Sequence, residues 1–528
     1  MFLNKKSTFK EIPAILGIVI YACYINWISG SMGFIPIDSF GWLDTGFSIL
    51  KDKLPLRDYW IFTGLLLDYM EAFFILIFGN NWTSHLMHAS FMNALISIVF
   101  YFFLKKIGFD QKFSIFYTIS LATLCYPVSG TPFAYLHSYI FSLIAIFILL
   151  FASKSCKNIT WFILPLICFF AFLSMQTPSS YLILIIILFS LIYFIKTKNF
   201  ENLKYFFIGG ITSILILFIY LKISSTPLEN FIYQYILFPL TIGEERILSS
   251  SVAYVSLSDQ LNIKRIFGDF KFIHFFLIPL LLLSIINFKK NKFEINFLNF
   301  LIIFTALILI FNQLITANQI FIFSLIPVIA AILHKNILNY NSSQNITWII
   351  IFLVVFATIK FHIRYNIDRK FHELEHVDKS KAIDGFNIHE NLKGLKWINK
   401  FDQDPKEEVR TIKNAIEVIK NDKRNKILIT HYQFFSTILD EDLNILNRWY
   451  LWDNNTHPTE NHKYFEFYKK MVNKNVKKNN IQVVYLLGQN NDFLLKNVSN
   501  YFTDVCFKSK TLEKKRFSMH ELINCETK

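Results

Sequence analysis

Charged side chains are scarce in the first two thirds of this chain of 528 residues. Residues 1–362 hold 24 Lys and Arg and 15 Asp and Glu, whereas residues 363–528 hold 29 and 23. The surface of a water-soluble protein needs more charge than the first part offers, so that part is not an ordinary soluble domain. Because 53% of all residues are hydrophobic, the composition also excludes a disordered chain.

Other absences exclude further classes of protein. The six Cys form no CxxC spacing, and no His-rich spacing accompanies them, so a structural metal site is not expected. The net charge is +15, but the basic residues form no stripe with interleaved aromatic residues. We therefore expect no nucleic-acid partner. Cys506 and Cys525 are the only two Cys in residues 363–528. Their separation permits a disulfide in an oxidising compartment.

What the first part has in place of charge is long apolar runs. About eleven of them are long enough to cross the roughly 30 Å of a bilayer's hydrocarbon core. The predicted fold class is therefore an α-helical polytopic membrane protein in residues 1–362. The predicted spans are Ile12–Ser29, His85–Leu104, Phe113–Val128, Tyr135–Ala152, Thr160–Gln176, Tyr181–Ile195, Tyr205–Ile223, Phe272–Phe288, Phe297–Ile315, Ile320–His334 and Ile346–His362.

Lysine is distributed unevenly between the two sides of these spans. One set of alternate short segments holds 15 Lys, and the opposite short loops hold no Lys or Arg. Since basic residues stay on the cytoplasmic side, we expect the N-terminus in the cytoplasm. Two longer loops, 30–81 and 224–271, then lie outside, and with eleven spans residues 363–528 lie outside as well.

The last part of the chain has the pattern of a mixed α/β domain. Pro405–Asp422 is amphipathic with a helical period, and a second helix is predicted at Phe465–Val476. Lys426–Thr430 and Ile481–Leu487 are short apolar runs typical of buried strands. Strands that alternate with helices predict a small parallel sheet in an extracytoplasmic domain of residues 363–528.

The first outside loop concentrates the acidic residues of the membrane part. Its candidates for catalysis are Asp38, Asp44 and Asp58, and the helix-like stretch after them carries Asp68 and Glu71 on one face. A carboxylate held at a membrane surface among aromatic groups can have a raised pKa and accept a proton from an attacking hydroxyl. The alternative is a solvated loop whose acids offset neighbouring basic residues.

Basic residues of the outside loops are candidates for binding a lipid phosphate. A departing phosphate needs fixed cations, and these loops supply Arg57, Arg246, Lys264 and Arg265. Each could equally anchor a lipid headgroup.

Several motifs of the first loop carry a resemblance. An acid follows the first span at Asp38, and an interfacial helix ends in Ile49-Leu50. A Pro-x-Arg-Asp-aromatic turn covers Pro55–Tyr59, and an apolar helix closes with Phe-Gly at Gly79. The chain resembles the GT-C superfamily of membrane glycosyltransferases, especially the bacterial branch similar to protein O-mannosyltransferases and the lipid A aminoarabinose transferase. These motifs lie in the first 200 residues or so; the rest resembles the superfamily in architecture.

The resemblance implies an enzyme of the bacterial inner membrane that moves a sugar, with inversion, from a polyprenyl-phosphate-linked donor to an acceptor glycan, lipid or protein. Asp38 matches the acid that activates the acceptor. Asp58 matches a second acid that orients the acceptor or, in some members, holds a metal, so a divalent cation stays open. In most members Glu follows the first acid; here it is Ser39, so Asp44 stays a candidate for the base.

Two other functions fit a polytopic envelope protein. A translocase of lipid-linked saccharides would line its interior with charge through the bilayer. Here Lys360 is the only charged residue well inside a predicted span, which favours a transferase. An oligosaccharide polymerase or ligase is the nearer enzymatic alternative.

Overall fold

The chain packs as two compact units in the computed structural model, which describes residues 5–155, 157–248, 257–316, 321–339, 344–401, 404–488 and 491–525. The first unit comprises Met1–Gly30, Ala89–Phe218 and Arg246–Phe371. The second combines Ser31–His88, Ile219–Glu245 and His372–Lys528. The segments of each unit are far apart in sequence. This division does not test the predicted domain boundary between residues 362 and 363, which stays a prediction.

The described chain is mostly helical. Its helices are α1 (Lys5–Gly30), α2 (Pro36–Ser39), α3 (Gly41–Leu50), α4 (Leu65–Phe78), α5 (Trp82–Lys106), α6 (Gln111–Leu124), α7 (Ala134–Ser155), α8 (Asn158–Ser174), α9 (Gln176–Thr197), α10 (Phe200–Ile223), α11 (Leu228–Phe231), α12 (Phe238–Leu248), α13 (Leu257–Gln260), α14 (Ile263–Gly268), α15 (Lys271–Ile286), α16 (Phe293–Ile315), α17 (Leu325–Asn339), α18 (Gln344–Phe361), α19 (Pro405–Asn421), α20 (Phe435–Leu439), α21 (Phe465–Lys478) and α22 (Asn491–Ser499). Its strands are β1 (Ile383–Asp384), β2 (Lys396–Trp397), β3 (Lys426–Thr430), β4 (Val483–Leu487), β5 (Cys506–Glu513) and β6 (Phe517–Ile523).

Seven of the described helices are long and apolar enough to cross a membrane, and the bent pair of Leu257–Gly268 and Lys271–Ile286 brings the number to eight. On α10, Phe207, Ile211 and Leu215 are all more than half exposed. A helix with large apolar side chains turned outward suits a lipid environment. The length and apolar composition of these helices therefore indicate an integral membrane protein.

Every one of the eleven predicted spans coincides with a helix. Three of these helices, α6, α8 and α17, have only 14, 17 and 15 residues and do not count among the eight by length. Residue 320, where the tenth predicted span begins, lies outside the described residues. The described residues thus support a polytopic membrane protein, while the count of eleven stays a prediction.

The sheet lies in the second unit, where the sequence predicts an α/β domain. Strands β3 and β4 pair in parallel with Lys426 opposite Val483, as the two apolar runs predict. The order of the sheet is β3-β4-β6-β5, and β6 pairs antiparallel with both of its neighbours. The sheet is therefore mixed and not wholly parallel, because a C-terminal hairpin of half-polar strands adds to its edge. Such mixed sheets combine the covered faces of parallel strands with one solvated edge.

Local sequence explains where the positioning helices begin and end. Before α19, the Asp404 side chain accepts a hydrogen bond from the backbone N–H of Lys406, and Pro405 occupies the first helical position. Helix α4 begins after Gly64 and ends before Gly79, which have φ angles of 71° and 87°. These positive φ angles favour glycine, so the two glycines determine where α4 begins and ends.

The predicted disulfide is present. Cys506 begins β5, Cys525 follows β6, and their Cα atoms are 4.9 Å apart across a sequence separation of 19. The bond closes the open end of the C-terminal hairpin.

We expect the paired change Cys506→Ser with Cys525→Ser to lower the free energy of unfolding by about 3 kcal/mol, since it releases a closed loop. Urea unfolding of the full chain in detergent measures the loss. Reductant should destabilise the wild type equally and leave the double variant unchanged; equal stability of the two proteins without reductant would contradict the prediction.

Candidate functional site

The first predicted outside loop folds into three helices, α2, α3 and α4. Helices α3 and α4 approach closely at Gly46, where an added Cβ would lie 2.6 Å from the Cγ of Glu71. Glycine is therefore required for this packing. The approach brings the acidic side of α4 against α3, so Asp44, Asp68 and Glu71 lie in a buried region.

Asp38 lies in α2, a single turn that begins with Pro36. Its side chain is half-buried, and burial raises the pKa of the Asp38 carboxyl to about 6. Among the residues that the structure describes, none forms a hydrogen bond or ion pair with this carboxylate. An acid with a raised pKa and free oxygens can accept a proton near neutral pH.

Asp44 has a different environment in α3. Its side chain is buried and accepts hydrogen bonds from the N–H of Thr437 at 3.0 Å, the hydroxyl of Thr437 at 2.9 Å and the N–H of Ser436 at 3.3 Å. Burial raises the pKa of Asp44 to about 6 against these bonds. The carboxylate fixes α3 to the start of α20, and its bonds go to the protein.

Asp58 is also held by the protein. It accepts hydrogen bonds from the Arg57 Nε at 2.7 Å, the Lys478 Nζ at 3.0 Å and the N–H of Leu54 at 2.9 Å. Burial opposes ionisation, but these bonds outweigh it and lower the pKa of Asp58. Arg57 donates further to the carbonyl of Ser224 at 3.1 Å. The turn thus holds an ionised acid with its partners already in place.

A buried ion pair that the sequence analysis does not single out joins Asp68 of α4 to Arg448. Their side chains are 0% and 1% exposed, and the guanidinium lies 5.2 Å from the ring of Trp42 and 5.1 Å from that of Trp449. The Thr45 hydroxyl also donates to Asp68 at 2.7 Å. Burial raises the pKa of Asp68 to about 6 against the charge of Arg448, so Asp68 is ionised at neutral pH.

Glu71 is bonded to two histidines of α5. Its two carboxylate oxygens face the Nδ1 of His85 at 2.8 Å and the Nδ1 of His88 at 2.7 Å, and all three side chains are fully buried. Burial would raise the pKa of Glu71, but the charge and hydrogen bond of His85, with those of His88, outweigh it and lower that pKa to about 2. Glu71 is therefore a carboxylate that accepts a hydrogen bond from each imidazole.

This arrangement places His85 between two hydrogen-bond acceptors. Its Nε2 faces the carbonyl oxygen of Ser39 at 2.8 Å, while its Nδ1 faces Glu71. Both partners are acceptors, so both ring nitrogens of His85 are placed to donate a hydrogen bond. Since Ser39 follows Asp38 directly, His85 anchors the turn that carries the candidate base.

The four predicted phosphate-binding cations are divided between the two units. Arg57 belongs to the second unit, whereas Arg246, Lys264 and Arg265 belong to the first. Arg265 forms an ion pair with Asp269 at 3.4 Å, and Lys264 is exposed with no ion pair to any described residue. Of the four, Arg57 alone lies within the helices and turns of the first loop.

No three His, Cys, Asp or Glu side chains are grouped to hold a metal ion within the described ranges. The oxygens of Glu71 and the Nδ1 atoms of both histidines are used in hydrogen bonds to one another. The residues described here therefore do not fit a resident divalent cation, and we derive no step through one. Comparison with protein-family models and with curated proteins gave no match for this chain.

Proposed function

We propose that this protein is a membrane glycosyltransferase of the GT-C type that transfers a sugar from a polyprenyl-phosphate-linked donor to an envelope acceptor. The observation that carries the proposal is the state of Asp38. It is the one predicted catalytic acid whose carboxylate bonds to no described residue, and its pKa is raised to about 6. It also lies on a turn that the buried His85 holds through the carbonyl of Ser39.

In the proposed reaction, a hydroxyl of the acceptor attacks the anomeric carbon of the sugar as the bond from that carbon to the phosphate oxygen breaks. The hydroxyl proton passes to the Asp38 carboxylate, and the polyprenyl phosphate leaves as an anion. A single displacement inverts the anomeric centre. Positive charge near the leaving phosphate would come from Arg57, whose guanidinium is oriented by Asp58.

The buried polar groups around Asp38 serve to position it. His85 holds the carbonyl of Ser39, and the Arg448–Asp68 pair holds α3 and α4 through Thr45. Because these residues are already fixed, they lose little conformational entropy when a reactant binds. This lowers the cost of reaching the reactive geometry. The function thus needs acids at one end of the membrane helices only, in agreement with spans that are nearly free of charge.

The direct test supplies a radiolabelled polyprenyl-phosphate-linked sugar to membranes that contain or lack the protein. Transfer of label to a glycan, lipid or protein acceptor above the level of the control membranes is the expected result. Movement of the labelled lipid across the bilayer with no transfer would favour a translocase and contradict the proposal.

The proposal includes eleven spans and a C-terminal segment outside the cytoplasm, which leads to a labelling prediction. We expect Lys413→Cys, on the exposed side of α19, to react with an impermeant thiol reagent in intact cells. The matched variant Lys290→Cys, which is exposed beyond α15, should react only after lysis. Reversed labelling would place the candidate site on the cytoplasmic side.

A further inference from the structure

A second candidate site lies in the first unit, at the ends of α7, α9 and α16. A cavity of about 470 Å³ opens there, in the size range of small-molecule pockets. Its lining includes Ser153, Lys154, Tyr193, Thr197, Glu294 and Phe297. Lysines of this region belong to the set that predicts the cytoplasmic side, so this end of the first unit is the one predicted to face the cytoplasm.

The apolar part of the lining is aromatic and rigid. The rings of Tyr193 and Phe297 are 3% and 4% exposed, and their centroids are 6.2 Å apart. They belong to α9 and α16, two of the helices that are long enough to span a membrane. One wall of the cavity is therefore formed by helices that are long and apolar enough to span a membrane.

The hydroxyls of Ser153 and Thr197 are restricted to accepting. Ser153 donates its proton to the carbonyl of Leu150 at 3.0 Å, and Thr197 donates to the carbonyl of Tyr193 at 2.8 Å. Each hydroxyl hydrogen is used, while lone pairs on each oxygen remain. A ligand in this cavity would meet these two oxygens as acceptors of its own N–H or O–H groups.

The charged groups are one cation and one anion. Lys154 lies in the last turn of α7 and Glu294 in the first turn of α16, and both are exposed. Neither forms an ion pair with any residue within the described ranges, the other included. Besides the Tyr193 hydroxyl, the lining thus presents one cationic donor, one anionic acceptor and two neutral acceptors. A molecule that carries a negative group beside a primary ammonium complements this set.

We propose that the cavity binds the headgroup of a phospholipid with a primary ammonium, as in phosphatidylethanolamine. The phosphate lies against Lys154, and the ammonium donates its three N–H groups to Glu294, Ser153 and Thr197. The acyl chains leave the cavity along the aromatic wall. A choline headgroup has no N–H donors for these acceptors, and a purely anionic headgroup would face Glu294 with like charge.

The test measures which lipid stays with the protein. Purified full-length protein is exchanged into mixed micelles with equal amounts of phosphatidylethanolamine and phosphatidylcholine, and native mass spectrometry counts bound lipids. We expect preferential retention of phosphatidylethanolamine. Glu294→Gln should reduce that preference by about fivefold, the scale of one charged hydrogen bond at an exposed site. Lys154→Gln should instead weaken the retention of both lipids by a similar factor, because both carry the phosphate. Glu201→Gln and Lys290→Gln are the matched controls and should leave the preference and the retention unchanged.

Several outcomes would overturn the proposal. Equal retention of the two lipids would exclude recognition of the ammonium, and loss of preference in the controls would show an effect of overall charge. If soluble phosphoethanolamine bound while the diacyl lipid did not, the ligand would be a free metabolite and not a membrane lipid. Size-exclusion elution identical to wild type confirms that the variants are folded.

Discussion

Asp38→Asn should lower sugar transfer per folded protein by about 10²–10⁴-fold, because the acceptor hydroxyl loses the group that takes its proton. The Asp38 side chain makes no bond to any described residue, so the change removes chemistry and not a structural contact. Expression and elution of the variant should match those of the wild type. The measurement is initial-rate transfer of radiolabelled sugar, normalised to the amount of monodisperse protein.

The matched control is Asp52→Asn, in the same loop. The Asp52 side chain is 90% exposed, and its φ of 58° is a conformation that Asn adopts readily. We expect its transfer rate to stay within twofold of the wild type. If Asp38→Asn kept near-normal turnover, the assignment of the base would be wrong even if the protein proved to be a transferase.

The pH dependence provides a second check on the same residue. The base acts as a carboxylate, so activity requires ionised Asp38. With a pKa of about 6, transfer should rise as the pH passes upward through 6 and reach a plateau by about pH 7.5. A profile that is flat from pH 5 to 8 would contradict the raised pKa.

The largest effect on stability is expected at the buried ion pair. Arg448→Met should lower the free energy of unfolding by about 3–5 kcal/mol, because it leaves the Asp68 carboxylate buried without its cation. Methionine keeps much of the volume between Trp42 and Trp449, so loss of packing contributes little. Urea unfolding of the full chain in detergent, followed by tryptophan fluorescence, measures the change.

A double variant separates charge from packing. Adding Asp68→Asn to Arg448→Met removes the unpaired charge and should recover about half of the lost stability. Arg410→Met is the control, since the Arg410 side chain is 73% exposed and should be neutral within about 0.5 kcal/mol. A double variant no more stable than Arg448→Met alone would show that the cost comes from packing.

Periodicity and composition predict those parts of the fold that depend on local sequence. The apolar runs coincide with helices, and the amphipathic stretch after Asp404 and the apolar strand Lys426–Thr430 appear where expected. Hairpin β5–β6 is different, because its strands alternate irregularly between polar and apolar residues. Its place at the sheet edge depends on pairing with β4, which no local pattern encodes.

Of the candidate site, only the acidic residues could be predicted from the sequence. Their position after the first span points to Asp38, but the partners of Asp68 and Glu71 come from distant or unremarkable sequence. Arg448 is separated from Asp68 by 380 residues and stands in an aromatic run that offers no acidic neighbour. His85 stands near the start of a predicted span, where a histidine is ordinarily a lone interfacial residue. These pairs form because segments distant in sequence pack together in the protein interior, and no local motif encodes them.

The second unit is made from three stretches of chain that the ribosome releases at different times. The stretch Ser31–His88 emerges early, yet Arg448 and Thr437, which satisfy its buried acids, are made last. At about 5–20 residues per second, the first stretch waits on the order of tens of seconds for them. During that interval Asp44 and Asp68 must stay hydrated. We therefore expect a truncation at residue 371 to leave the buried carboxylates of Asp44 and Asp68 without these partners.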